Sequence, residues 1–121
     1  MINSLDILVI EEDLTTRALI VGTLEDVGYT VGVMSDDADD ERTMHVVIVD
    51  LSVPKSQGAK KLRSVRGRFP KARILAISGH FLVNAGASAF VARELGVDCV
   101  MAKPLDCRLL VANVRQFFDG S

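Results

Sequence analysis

Asp50 directly follows the β-branched run Val46-Val47-Ile48-Val49, a pattern that places a carboxylate at the C-terminal tip of a buried strand. In open α/β sheets that edge is where ligands bind. Three other apolar runs end in chemically useful groups: Leu5 to Ile10 in Glu11-Glu12-Asp13, Ala72 to Ile77 in Ser78-Gly79, and Val97 to Ala102 in Lys103-Pro104. If these strands lie parallel, acids, a hydroxyl and an ammonium converge on Asp50. Such a set suits a phosphoryl group and a hard cation, because oxygen donors hold the ion and fixed cations and donors neutralise phosphoryl oxygens.

The elements that must position these residues alternate between strand and helix patterns. Parallel strands need crossovers long enough to hold a helix, so the alternation predicts five β–α steps. Asp13 can cap a helix from about Leu14 to Val27, with Ile20, Leu24 and Val27 as its apolar stripe and Gly28 as its stop. A second strand follows at Thr30 to Met34, and the polar stretch from Ser35 to Met44 allows at most a short helix. A helix after Gly58 runs to about Arg68 with a basic, solvated face. A further one spans about Leu82 to Leu95 and stops at Gly96. The last, capped by Asp106, turns Leu110, Val114 and Phe117 inward.

With 121 residues, 49% of them hydrophobic, the chain suits one domain, residues 1–121, with a sizeable core. A net charge of −2 argues against direct nucleic-acid binding. No apolar run approaches the roughly 18 residues that span a bilayer, and no signal-like N-terminus is present, so a cytoplasmic protein is expected. Cys99 and Cys107 form no CxxC pair and read as inert thiols.

The motifs Ile7-Leu8-Val9-Ile10-Glu11-Glu12-Asp13, Val47-Ile48-Val49-Asp50-Leu51-Ser52-Val53-Pro54, Ile74-Leu75-Ala76-Ile77-Ser78-Gly79 and Met101-Ala102-Lys103-Pro104, in that order, resemble the receiver domain of bacterial two-component response regulators. The resemblance covers essentially the entire chain. It implies the CheY-like, flavodoxin-like doubly wound (βα)5 sandwich, with parallel strand order 2-1-3-4-5; because the sequence stops at Ser121, shortly after the last helix, no attached output domain is expected. It further implies that Asp50 accepts a phosphoryl group from the phosphohistidine of a sensor histidine kinase or a histidine phosphotransfer protein. Mg2+ would then be held by Glu11, Glu12, Asp50 and the Ser52 main-chain carbonyl. Lys103 and Ser78 would contact the phosphoryl oxygens, and the Lys103-Pro104 peptide would be cis, as in the family.

The sequence also departs from the family. Its usual Asp-Asp or Glu-Asp pair is Glu11-Glu12 here, each side chain a methylene longer, which predicts weak Mg2+ binding. Val100 replaces the usual switching aromatic, leaving Phe81 as the alternative moving side chain. The segment Gly79 to Ala87 looks longer than usual and suits a mobile lid over the site. Ser52 and His80 stand at the positions that set phosphate lifetime. A partner is expected on the first helix, where Thr15, Ala18, Leu19 and Gly22 face away from the core; the fourth helix with strand five and the last helix offers a face for a target or a homodimer. Against this reading stand a pseudo-receiver, an interaction module that works without phosphorylation, and a flavin or nucleotide binder. The last is disfavoured because no Gly-rich phosphate loop follows the first strand, where Glu11-Glu12 would repel phosphate.

Overall fold

Side chains alternate across a strand, so strands apolar on both faces must be covered on both sides. In the computed structural model, residues 4–34, 43–52, 55–79 and 85–119 are described. They form β1 (Ser4–Ile10), α1 (Leu14–Asp26), β2 (Val31–Val33), β3 (Thr43–Asp50), α2 (Lys55–Arg68), β4 (Arg73–Ser78), α3 (Ala85–Leu95), β5 (Cys99–Ala102) and α4 (Cys107–Asp119). The strands make one parallel sheet in the order β2-β1-β3-β4-β5, as expected.

The alternation is complete in the buried residues. Ile7, Val9, Val46, Ile48, Leu75 and Ile77 pack with Ile20 and Leu24 of α1 and Leu110 and Val114 of α4. The intervening Leu8, Val47, Val49, Ile74 and Ala76 pack with Leu62 and Val65 of α2 and Ala92 of α3. Three layers result. Fully burying each such aliphatic side chain contributes about 1.5–3 kcal/mol, so the sheet is the rigid frame on which the loop tips are mounted.

Helix α1 begins and ends where local chemistry dictates. Asp13 accepts the Thr16 amide at 2.8 Å and its hydroxyl at 2.6 Å, satisfying helix-start donors and holding the Asp13 carboxyl below its ordinary pKa. At the other end Gly28, at φ +102°, donates to the Glu25 carbonyl while the Tyr29 amide donates to Leu24, closing the last turn.

Some expected boundaries shift. Val27 is the C-cap of α1 and 41% exposed, so the buried stripe is Ile20 and Leu24, with Val21 partly buried beside them. Helix α2 starts at Lys55 rather than after Gly58. A glycine inside a helix costs only about 1 kcal/mol, so Gly58, which is buried, does not stop α2. Phe117 is only partly buried. Thr43 and Met44, assigned to a polar loop, open β3 instead. The short helix expected in the preceding stretch, at 35–42, lies outside the described residues.

Candidate functional site

Strand parity selects which side chains meet at the C-terminal edge. Glu11 continues the Ile7 and Val9 face, Asp50 that of Val46 and Ile48, and Lys103 follows Met101 by two residues. The loop tips are fixed by main-chain bonds, the Leu51 amide to the Ile77 carbonyl at 2.7 Å and the Lys103 amide to the Ser78 carbonyl at 3.1 Å. The Lys103-Pro104 peptide is cis.

Three charged groups come together there. The Lys103 Nζ lies 3.1 Å from Glu11 Oε2 and 3.2 Å from Asp50 Oδ1. The Glu11 side chain is only 2% exposed, Asp50 14% and Lys103 22%, so water screens the group only in part. Burial works against the ammonium, but its close contacts with the Glu11 and Asp50 carboxylates outweigh that, and the Lys103 pKa rises above its ordinary 10.5.

Smaller contacts orient the carboxylates. The Ser52 amide donates to Asp50 Oδ1 at 3.2 Å, and the Ser52 hydroxyl accepts the Gly79 amide at 3.1 Å, tying the loop after β3 to the loop after β4. Glu11 Oε1 accepts the Asp13 amide at 3.0 Å. Ser78 is 1% exposed at the end of β4, whose neighbouring residue Ile77 is in register with Asp50.

The site carries one negative charge in excess over Lys103. Glu11 Oε2 is buried without a directional hydrogen bond, although the ammonium is close enough for an electrostatic contact. Hard oxygen donors, excess negative charge and an incompletely satisfied carboxylate oxygen fit a hard divalent cation. Glu12, by contrast, is exposed, and among the described residues no three acids, histidines or cysteines are clustered closely enough to hold an ion by themselves. Sequence reasoning treated the two glutamates as equivalent; the alternation of β1 separates them, burying the first and leaving the second in solvent.

The remaining site expectations divide the same way. Val100 is 5% exposed and packed in the core beside α2 and α3. His80, Phe81 and the 80–84 part of the expected lid lie outside the described residues, and Ala85 to Ala87 already belong to α3. On α1, Thr15, Ala18, Leu19 and Gly22 are exposed as expected. Among the described residues, no helix is long and apolar enough to cross a membrane.

The family described as response regulator receiver domain matches residues 7–115. The regulatory protein VirG of Agrobacterium fabrum is 32% identical over 114 residues, covering 90% of this chain and 44% of VirG. The transcriptional regulatory protein TorR of Escherichia coli is 26% identical over 114 residues, covering 90% of this chain and 48% of TorR. The chain thus spans just under half the length of these curated relatives. Among solved structures, a CheY-like receiver domain protein from Methanospirillum hungatei superposes with a TM-score of 0.75 at 19% identity, over 98% of this chain and 96% of that one. A Burkholderia pseudomallei response regulator with a phosphorylated aspartic acid, calcium ion and citrate gives 0.68 at 21% identity, over 97% of this chain and 71% of that one. At those identities the likeness speaks for the fold.

Proposed function

The chain belongs to the response regulator receiver domain family, and from that premise we propose that it is a phosphoryl-accepting switch with Asp50 as the acceptor. The observation that carries this reading is the single ammonium of Lys103 held between Glu11 and Asp50 at 3.1 and 3.2 Å. A carboxylate is a poor nucleophile toward phosphorus, so the reaction depends on holding it in line and on neutralising charge at the phosphoryl oxygens.

An Asp50 carboxylate oxygen attacks the phosphorus of a phosphohistidine on a sensor kinase or a histidine phosphotransfer protein. The new O–P bond forms as the P–N bond breaks, and the imidazole departs with the electron pair. The Ser52 amide keeps Asp50 oriented. Lys103 follows the charge from the carboxylate to a phosphoryl oxygen, and Ser78 donates its hydroxyl to another. Glu11, Asp50 and the Ser52 carbonyl, with the longer and exposed Glu12, would hold Mg2+, whose charge neutralises the phosphoryl oxygens when bound. Hydrolysis of the acyl phosphate then resets the switch, so the only turnover is of its own phosphoryl group.

The phosphoryl state would be read out by protein contact in the cytoplasm. The exposed side of α1 serves the donor, and the α3, β5 and α4 face a target or a second copy. Incubation with acetyl phosphate and Mg2+ is expected to add the mass of one phosphoryl group, and Asp50→Ala to abolish it. A second reading, a phosphorylation-independent interaction module, draws on the exposure of Glu12 and the lack of a three-acid cluster among the described residues. Absence of any mass change, with no response to beryllium fluoride and Mg2+, would favour that module.

A further inference from the structure

The end of the sheet remote from Asp50 carries a second concavity. Strand β3 runs from Thr43 to Asp50, and at about 3.3 Å per residue its two ends lie roughly 23 Å apart. Around the Thr43 end, between β3, the α2–β4 connection and the end of α4, opens a cleft of about 770 Å³. Its floor is apolar, from Met44, Phe69 and Phe117, and its rim carries His45, Lys71 and Arg73.

We propose that this cleft binds a small anion bearing a flat ring, of the size and chemistry of a nucleoside phosphate. The volume lies within the range of about 300–1,000 Å³ usual for small-molecule sites. The described lining residues include Arg68, Lys71 and Arg73 and, among them, no carboxylate, so they present donors and positive charge to an anion. Arg73 does contact Asp98 at 3.6 Å, but these side chains are 56% and 37% exposed, an ion pair that an incoming phosphate can replace at little cost. The apolar floor is built on firm support: Phe69 is 6% exposed and belongs to the core. The imidazole of His45 packs at 5.5 Å against Phe118, which stacks on Tyr29 at 5.0 Å, so this wall of the cleft is held by aromatic contacts. A phosphate meets the basic rim and a ring meets the floor. Neither half of the ligand satisfies the cleft alone.

The proposal is independent of phosphoryl chemistry at Asp50, and its test excludes that site by working in chelator without Mg2+. Titration of isotopically labelled protein with ADP is expected to move the amide signals of Phe69, Lys71 and Phe117 while leaving those of Glu11 and Lys103 in place. Adenosine and pyrophosphate, tested separately, should each bind at least about tenfold more weakly than ADP. Lys71→Glu, a surface change that leaves the fold intact, should weaken ADP by about tenfold, and Phe117→Leu should weaken ADP more than pyrophosphate. The proposal is overturned if ADP moves none of these signals at millimolar concentration, if it moves only those near Asp50, if pyrophosphate binds as tightly as ADP, or if Lys71→Glu binds ADP like the wild type.

Discussion

Replacing Lys103 with methionine removes the ammonium while keeping an unbranched chain of similar length. Two carboxylates, Glu11 and Asp50, are then left facing the same space without their common cation. Stripping one partner from a fully enclosed ion pair costs about 3–5 kcal/mol. Glu11 meets that condition at 2% exposure, but the 22% exposure of Lys103 and the 14% of Asp50 admit water. The expected loss near neutral pH is therefore about 2–3 kcal/mol, enough to lower the urea midpoint by roughly 1–2 M. The pH dependence identifies the cause. The Lys103 pKa is raised in the folded protein, so its contribution is complete below the ordinary 10.5 and fades only as pH climbs through the higher folded value. Mg2+ should stabilise Lys103→Met more than wild type, since the ion then has no ammonium to displace. Urea unfolding followed by circular dichroism near pH 7, with and without Mg2+, measures the loss and its relief by the ion. Equal midpoints near neutral pH, or no extra stabilisation of the variant by Mg2+, would refute the electrostatic account.

Other substitutions test separate parts of the structure. Glu12→Asp shortens the exposed acid by one methylene and should tighten Mg2+ binding in a fluorescence or calorimetric titration; unchanged or weaker affinity would show that its length is not the obstacle. Gly96 sits at φ +71°, where an added Cβ would also lie 2.9 Å from the Arg66 guanidinium. Gly96→Ala should therefore cost about 1–3 kcal/mol in chemical unfolding, and adding Arg66→Ala should recover little of it because the backbone strain remains. Leu110 is fully buried between α4 and the sheet, so Leu110→Ala should cost about 2–5 kcal/mol through lost burial and a residual cavity, measurable in the same assay. The Asp13 carboxyl is held below its ordinary pKa of 3.8 by the Thr16 hydroxyl and amide. Its capping contribution is present above that value and fades as pH falls through the lower folded one, so Asp13→Ala should lower the melting temperature at neutral pH and not in strong acid.

Much of this protein is readable from local pattern alone. The runs around Val9, Val47 and Leu75 identify buried strands because hydrophobicity on both faces has no other stable use in a chain of this length. Asp13 and Gly28 mark the ends of α1 because capping and positive φ are properties of single residues. From such elements the alternation of strands and helices and the place of Asp50 at a strand tip follow, while the strand order 2-1-3-4-5 is legible only through the resemblance to receiver domains. The tertiary structure alone decides how the two glutamates divide. Nothing local distinguishes Glu11 from Glu12 until β1 is locked into register between β2 and β3, which buries the first beside Lys103 and exposes the second. Lys103 likewise reaches two acids distant in sequence, an arrangement fixed by sheet order rather than by spacing. The remote cleft belongs to the same class, since His45, Lys71 and Phe117 share a surface only because the ends of three elements are brought together by packing that no local rule encodes.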